Sequence, residues 1–350
     1  MINKLIDLRS DTVTKPSPAM REFMLKAEVG DDVFGEDPTV NELQQRVAQL
    51  LEKDAALFVT SGTQANQVSL NAHTQPGQEV ICDYHSHIFN YEAGAAGMLS
   101  GVQLHPLPGK NGHPAAEQIA EVVRPPDDHY PQTSLICLEN THNRAGGTIL
   151  PLEELKCISG FAKGRELKMH LDGARLWNAA VATGIKPAEY ARYFDSVSVC
   201  FSKGLGAPIG SMVAGSRDFI QRAHYYRKAY GGGTRQAGIV AAACLYALDH
   251  NINRLAEDHQ HARMLAAVLN SCTGIKVDLQ AVQTNIVIAE VTGKNQTAPG
   301  VVENLKAHSI LALPFSNSKI RFVTHLDVSR ADIEQSIVII KKLFSQEKYF

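Results

Sequence analysis

The chain has 350 residues, of which 44% are hydrophobic and 20% charged, and its formal net charge at pH 7 is −2. This length predicts one large and one smaller domain, and the near-neutral charge argues against a nucleic acid or an anionic membrane as partner. No apolar run approaches the roughly 20 residues that cross a bilayer, and the N-terminal residues do not have the pattern of a signal peptide.

Short apolar segments alternate with amphipathic ones after an irregular N-terminal region, in which a strand within Leu5–Arg9 and a helix near 19–27 are expected. The predicted strands are 55–60, 79–83, 102–107, 134–138, 168–171, 195–201 and 211–214. The predicted helices are 39–53, 61–72, 87–97, 114–123, 151–163 and 174–183. Strands that alternate with helices in this way are typical of a mainly parallel α/β sheet.

In the C-terminal third of the sequence, the regular alternation of short strands and helices ends. A long helix from about 236 to 268 is expected to kink and lead into a second unit. Strands at 284–290, 310–313 and 320–324 and helices at 299–308 and 330–345 follow. We therefore predict a large domain at 1–250, which includes the N-terminal segment, and a small α+β domain at 251–350.

Three polar features fall at the carboxyl ends of predicted strands, where α/β sheets bind ligands. Ser61–Gln64 forms a strand-to-helix turn whose N–H groups could hold an anion, although Ser and Thr also cap helices routinely. Asp172 could keep a pyridine nitrogen protonated, or could simply cap a helix. Arg175 follows Asp172 closely and belongs to the same feature; it could bind a carboxylate through two hydrogen bonds, or lie on the surface.

Lys203 is the third feature and follows the apolar strand 195–201 into a glycine-rich turn. A poorly solvated lysine can lose its proton, and the neutral amine is a nucleophile that can hold a carbonyl cofactor as a Schiff base. Most lysines are solvated surface residues, so this position alone is weak evidence. The order of phosphate turn, aspartate and lysine is more specific, and it predicts pyridoxal 5′-phosphate as the cofactor.

The same segments resemble the motifs of the L-threonine aldolases, which are pyridoxal phosphate enzymes of the aspartate-aminotransferase fold (fold type I). The similar segments cover most of the chain: Asp7–Thr14, Gly30–Thr39, Ser61–Asn66, Leu138–Asn143, His170–Arg175, Ser202–Gly210, Gly231–Gln236 and Arg321–Asp327. The resemblance implies a large domain with a mainly parallel sheet and a small C-terminal domain. It also implies retro-aldol cleavage of L-threonine or L-allo-threonine, and of other β-hydroxy-α-amino acids, to glycine and an aldehyde.

The resemblance further implies a role for individual residues. Lys203 would be the Schiff-base lysine and Asp172 the partner of the pyridine nitrogen. Gly62 and Thr63 would hold the phosphate, and His87 would stack on the cofactor ring.

Substrate contacts are implied as well. Ser10, Arg175 and Arg321 would bind the substrate carboxylate, and Arg175 would also lie against the cofactor. His129 would approach the substrate hydroxyl. His87 and His129 are both candidate general bases, and the sequence does not choose between them or an intervening water.

Lys228 and Arg235 would reach the phosphate of a neighbouring subunit's cofactor. This implies a homo-oligomer, a tetramer built from dimers with active sites at the dimer interface.

Six cysteines without Cys-x-x-Cys spacing indicate buried free thiols in a reducing cytoplasm, and no metal site is expected.

Other pyridoxal phosphate reactions on the same scaffold are the nearest alternatives: β-elimination, serine hydroxymethyl transfer and aminotransfer. A non-catalytic pyridoxal phosphate-binding protein is a more distant one. A nucleotide-binding α/β protein is disfavoured because Gly-x-Gly-x-x-Gly is missing near the first strand.

Overall fold

The computed structural model describes residues 4–294 and 296–344. A seven-stranded sheet forms its centre. After a short N-terminal strand β1 (Ile6–Asp7), the strands of this sheet are β2 (Ala55–Val59), β3 (Glu79–Asp83), β4 (Gln103–Leu107), β5 (Thr133–Glu139), β6 (Lys168–Gly173), β7 (Ser196–Cys200) and β8 (Ser211–Gly215). Their spatial order is β2-β8-β7-β6-β5-β3-β4, and β8 is antiparallel to both of its neighbours. All other adjacent pairs are parallel, as the alternating pattern predicts.

Helices connect and cover these strands. They are α1 (Pro18–Leu25), α2 (Pro38–Leu50), α3 (Gly62–His73), α4 (His87–Asn90), α5 (Ala116–Val122), α6 (Leu152–Gly164), α7 (Leu176–Thr183), α8 (Pro187–Ala191), α9 (Arg217–Ala229) and α10 (Gly238–His250). Proline begins α1, α2 and α8, where its missing N–H costs no helical hydrogen bond. The apolar face of α2, with Leu43 and Val47, packs into the largest core together with Ile136 and Leu171 of the sheet.

The C-terminal unit is an α+β layer. Its elements are α11 (Leu255–Ser271), β9 (Ile275–Val277), β10 (Ile286–Val291), α12 (Ala298–Ala307), β11 (Ile310–Leu311), β12 (Leu313–Pro314), β13 (Lys319–Val323) and α13 (Arg330–Phe344). Four of its strands form an antiparallel sheet in the order β12-β13-β10-β9. Together with the mainly parallel large sheet, this layer matches the predicted two-part architecture.

The N-terminal segment does not stay with the large sheet. β1 pairs in parallel with β11, and Ile6 and Leu8 are buried in the same core as Leu265 and Val287 of the C-terminal unit. The chain then crosses back to the large sheet, where the hydroxyl of Thr14 donates a hydrogen bond of 2.8 Å to the carbonyl of Lys203. The exact division of the chain at residue 250 stays a prediction.

Two predicted helices are wrong in extent. The helix expected at 236–268 is two helices, α10 and α11, because the chain turns at Asn251, whose side-chain amide donates to the carbonyl of Leu205 at 2.8 Å. The helix expected at 87–97 ends at Asn90, since Tyr91 has a non-helical φ of −129°, and the left-handed φ angles of 54° and 71° at Ala93 and Gly94 keep it from continuing. Among the described residues, no helix combines the length and the apolarity that crossing a bilayer demands.

The cysteines differ from the prediction at two positions. All six carry free thiols, as expected, but Cys157 is exposed and Cys272 is only half-buried. The other four are buried, and burial raises the pKa of Cys82 to about 12. Burial also raises the pKa values of Cys137 and Cys244, so these three thiols are inert structural groups.

Candidate active site

A cavity of about 190 Å³ lies beyond the carboxyl ends of β5, β6 and β7. The first turn of α3 and the start of α4 complete its wall. Six of the predicted site residues line it: Gly62, Thr63, His87, Asp172, Arg175 and Lys203. The sheet topology thus gathers residues that are up to 141 positions apart, from Gly62 to Lys203, at one edge.

Lys203 is half-buried in the turn after β7. Its carbonyl accepts hydrogen bonds from the N–H of Gly206 at 2.9 Å and from the hydroxyl of Thr14 at 2.8 Å. Gly206 has a φ of 78°, a conformation that favours glycine. The backbone of the lysine is therefore fixed from two sides, while its amine faces the cavity and the nearby charges of Asp11 and Asp172.

Asp172 is buried at the end of β6. One of its oxygens accepts a hydrogen bond from the side-chain amide of Asn66 at 2.8 Å, and the other accepts one from the N–H of Ala174 at 3.1 Å. Burial works to raise the pKa of Asp172, but the charges of His87 and Lys203 and these hydrogen bonds outweigh it, so that the pKa lies below its usual value. A charged carboxylate therefore faces the cavity at neutral pH.

The first turn of α3 forms the wall that the sequence predicts as an anion site. The hydroxyl of Ser61 caps the helix by accepting a hydrogen bond from the N–H of Gln64 at 3.1 Å, so the capping interpretation of this serine is correct. Gly62 and Thr63 line the cavity at the positive end of the helix dipole. A side chain at position 62 would lie only 2.8 Å from the sulfur of Cys200, which explains the glycine.

His87 stands at the start of α4 with its imidazole at the cavity wall. Its Nδ1 lies 2.7 Å from Oε1 of Glu92, and its backbone N–H donates to Glu139 at 2.8 Å. Burial works to lower the pKa of His87, but Glu92, Asp172 and Glu139 outweigh it and raise the pKa above its usual value. The ring is thus held from behind by a carboxylate.

Arg175 forms a buried ion pair. Its Nε and Nη2 atoms donate to the two oxygens of Asp11 at 2.8 and 2.7 Å, and the side-chain amide of Asn285 donates to the same carboxylate at 3.3 Å. Burial opposes the charged forms, but the pairing prevails: the pKa of Asp11 is lowered and the pKa of Arg175 is raised. One edge of the guanidinium is therefore already occupied by Asp11.

Arg321 is the other predicted carboxylate ligand. Its guanidinium donates to Oδ1 of Asn143 at 2.9 Å and to the carbonyl of Arg9 at 3.2 Å, and it lies 5.0 Å from the ring centre of Phe315. Burial, together with the charge of Arg175, lowers its pKa to about 10. Ser10 precedes a short helical turn, and its hydroxyl lies 2.9 Å from that of Thr12, which lines the cavity.

Five predicted site residues are not among those that line this cavity: Ser10 and Arg321, described above, and His129, Lys228 and Arg235. The side chain of His129 is 89% exposed and pairs with Asp127 at 2.8 Å. Lys228 is exposed in the last turn of α9, and Arg235 pairs with Asp31 at 3.2 Å. The roles of His129, Lys228 and Arg235 stay predictions.

Comparison with known proteins identifies the family. The family of beta-eliminating lyases matches residues 7–292. The low-specificity L-threonine aldolase of Escherichia coli K12 is 45% identical over 334 residues, which cover 95% of this chain and 97% of the relative. A low-specificity L-threonine aldolase of Arabidopsis thaliana is 43% identical, with 96% of each chain covered. This chain belongs to the low-specificity L-threonine aldolase family.

Solved structures confirm the fold type I architecture. A threonine aldolase from Leishmania major has a TM-score of 0.84 at 20% identity, with 97% of this chain and 100% of that chain covered. A putative L-allo-threonine aldolase from Listeria monocytogenes has a TM-score of 0.79 at 23% identity, with 96% of each chain covered. The predicted family and fold class are therefore correct, and the family supports pyridoxal 5′-phosphate as the cofactor.

The cavity of this aldolase-family chain suits that cofactor. A lysine amine, a charged carboxylate at Asp172 and a helix N-terminus at Gly62 face the same space, and they match in turn an aldehyde, a protonated ring nitrogen and a phosphate. His87 offers a flat ring at the wall.

Sequence reasoning missed the residues that support these groups. Asp11 pairs with Arg175, Glu92 pairs with His87, and Asn66 bridges Glu92 and Asp172. Asn66 lies one helical turn after Gly62. Because positions i and i+4 share a helix face, this spacing could have predicted that Asn66 faces the same site. Asp11 offered none, because its partner is 164 residues away.

Proposed function

We propose that this chain is a pyridoxal phosphate-dependent L-threonine aldolase, a lyase that cleaves L-threonine or L-allo-threonine to glycine and acetaldehyde. Other β-hydroxy-α-amino acids would be cleaved to glycine and the corresponding aldehyde. The observation that carries the proposal is the common cavity of Lys203, Asp172 and the first turn of α3 in a chain 45% identical to an L-threonine aldolase.

Lys203 would bind the cofactor covalently, Asp172 would pair with its ring nitrogen, and Gly62 and Thr63 would hold its phosphate. When bound, the cofactor supplies an electron sink for the carbanion that forms as the Cα–Cβ bond breaks. The chain's own part in that step is orientation, since bond cleavage requires the scissile bond to stand in line with the sink.

Arg321, Ser10 and Arg175 would provide that orientation by binding the substrate carboxylate. The partial desolvation of Arg321 supports this assignment, because a poorly hydrated guanidinium gains more from a carboxylate than a solvated one does. In Arg175 the Nε and Nη2 atoms are held by Asp11, so only its remaining nitrogen would be available.

The proton of the β-hydroxyl needs an acceptor. His87 is supported by its place at the cavity wall, whereas His129 is exposed and does not line the cavity. We therefore propose His87 as the base and His129 as a contact to the substrate hydroxyl.

A homo-oligomer is part of the proposal, with Lys228 and Arg235 directed at a neighbouring subunit's cofactor and two dimers joined as a tetramer. Exposed large apolar side chains support a covered surface: Leu25 is 85% exposed, Phe34 74% and Ile239 50%. We propose the cytoplasm as the compartment, supported by the free thiols.

The decisive experiment combines absorption with a product assay. The purified chain should show the visible absorption of a bound pyridoxal cofactor and should release acetaldehyde and glycine in equal amounts from L-threonine or L-allo-threonine. A protein that stays colourless after cofactor addition would contradict the cofactor assignment. A coloured protein that forms a keto acid and ammonia instead of acetaldehyde would point to β-elimination, the reaction that gives the matching family its name.

A further inference from the structure

We propose that Glu92 is a positioning residue for His87: its carboxylate holds the Nδ1 proton of the imidazole, so that Nε2 presents a lone pair to the cavity. This inference rests on the proposed function in one respect, namely that the lone pair would accept the β-hydroxyl proton of the substrate. The pairing itself is a property of the chain alone.

The pair has the geometry of a strong hydrogen bond. Nδ1 of His87 lies 2.7 Å from Oε1 of Glu92, whose side chain is fully buried, while the side chain of His87 is 32% exposed. An ionised carboxylate can only accept, so the proton must sit on Nδ1 and the neutral ring must leave Nε2 free. A buried carboxylate plays the same part for the histidine of a Ser-His-Asp triad, where it fixes both tautomer and orientation.

Glu92 is itself fixed by two amides. Asn66 donates to its Oε1 at 2.8 Å, and Gln67 donates to its Oε2 at 2.6 Å. Asn66 also donates to Asp172 at 2.8 Å, and its own carbonyl oxygen lies 3.1 Å from the hydroxyl of Ser198. One amide therefore holds the carboxylate behind His87 and the carboxylate at the end of β6 in a single buried network.

The backbone brings Glu92 to this place. The helix that begins at His87 stops at Asn90, and Ala93 and Gly94 take the left-handed φ angles described above. This turn directs Glu92 into the protein, where it is 3% exposed. A continued helix would have placed positions 87 and 92 about 140° apart, too far round the axis for this contact.

Several charges act on the imidazole. Glu92, Asp172 and Glu139 face His87 from the turn after α4, from β6 and from β5. Lys203 and Arg175 lie across the same cavity and Tyr91 lies beside the ring, with the ring centres 5.7 Å apart. Because Glu92 is the only one that contacts the ring nitrogen in the part of the chain the structure describes, its neutralisation should lower the pKa of His87.

The substitution Glu92→Gln suits the test because the site can absorb it. Oε1 of Gln67 is buried without a hydrogen-bond partner, so a rotated Gln67 amide could accept from the new amide at position 92. The oxygen of that amide would still accept from His87 and Asn66. The variant thus removes the charge and keeps the hydrogen bond to the imidazole.

Glu79→Gln is the matched control. Glu79 is likewise fully buried and lies 3.2 Å from a histidine nitrogen, that of His105, but at the other end of β3 from the cavity. Loss of charge in a buried glutamate–histidine pair is therefore common to both variants. Only the contact with His87 differs.

The first readout needs no activity. The full-length chain, freed of cofactor, is treated with diethyl pyrocarbonate, which reacts with neutral imidazole, and modification of His87 is followed by peptide mass spectrometry against pH. We expect the midpoint in Glu92→Gln to fall by about one pH unit, as for removal of a neighbouring opposite charge, and the midpoint in Glu79→Gln to stay that of the wild type.

The second readout is the pH profile of kcat/KM for L-threonine in the holoenzyme, whose acidic limb should move to lower pH in Glu92→Gln by the same amount. Unchanged midpoints in both measurements, or an equal shift in Glu79→Gln, would overturn the inference. Absence of acetaldehyde release by the wild type would instead contradict the proposed function, while the modification experiment would still decide whether Glu92 governs His87.

Discussion

Asp11 and Arg175 lie side by side under the cavity, joined by two hydrogen bonds of 2.7 and 2.8 Å across 164 residues of sequence. Both side chains are buried, so neither charge has water as an alternative partner. The pair ties the N-terminal segment to the helix that follows β6, and it sets how much of Arg175 remains for a substrate.

Asp11→Ala should lower the free energy of unfolding by about 3–5 kcal/mol, because it leaves the guanidinium of Arg175 buried without its counter-ion. Chemical denaturation followed by circular dichroism measures this loss. Asp128→Asn, a change of an exposed aspartate in a loop, is the control and should leave stability unchanged within error. A loss below 1 kcal/mol in Asp11→Ala would show that the pair is not needed for stability.

The same pair predicts a dependence of stability on acid. The pKa of Asp11 is lowered on folding, so its contribution is fully present above the unfolded-state pKa near 4 and is lost as the pH falls through the folded-state value. Wild-type stability should therefore fall more steeply below pH 4 than that of Asp11→Asn. Parallel curves for the two proteins over this range would contradict the prediction.

Lys203→Ala should reduce turnover of L-threonine by at least about 10³-fold, since the proposed covalent anchor of the cofactor is removed. The cofactor's absorption maximum should also change, because the variant can hold it only non-covalently. Lys163→Ala, on the exposed face of α6, serves as the control. Near wild-type cleavage by Lys203→Ala would show that another group holds the cofactor.

Arg321→Ala should lower kcat/KM for L-threonine by about 10²-fold, the effect of about 3 kcal/mol for loss of a buried charge partner. The loss should be much smaller for L-threoninamide, which has no carboxylate. Arg144→Ala is a matched control, because Arg144 lies over the same Phe315 ring at 3.8 Å but donates to the carbonyl of Phe315 and not to Asn143, which lines the cavity. Equal losses for acid and amide would exclude a carboxylate contact.

Mixing two inactive variants tests the shared site. If Arg235 of one subunit serves the cofactor of its neighbour, Lys203→Ala and Arg235→Ala subunits should restore about a quarter of wild-type activity after random reassociation, since half of the dimers then contain one intact site. Each variant reassociated with itself is the control. No recovery in a mixture that forms hybrid dimers would place Arg235 in its own subunit's site.

The strands and helices that depend on the local pattern of apolar residues could be predicted from the sequence. Alternation of apolar residues located β6 and β7, and the rule for strand ends then placed Asp172 and Lys203 at one cavity. The bounds of α2, α3 and β3 follow equally from apolar periodicity and end signals.

The parts that could not be predicted depend on contacts between distant residues or on special backbone angles. The pairing of β1 with β11 joins Ile6 to Ile310, and no pattern in either segment specifies the other. The predicted helix 87–97 includes Glu92, whereas in the structure the helix ends at Asn90 and Ala93 has a φ of 54°. The residues that support the site through such contacts could therefore be identified only from the structure.

The path of residues 6–14 has a practical consequence. Within nine residues the chain adds a strand to the C-terminal unit, neutralises Arg175 and braces the carbonyl of Lys203. Cleavage of one peptide bond in this segment by a protease would therefore weaken all three of these contacts. The resistance of this segment to proteolysis thus reports whether the C-terminal unit, Arg175 and the turn at Lys203 are folded together.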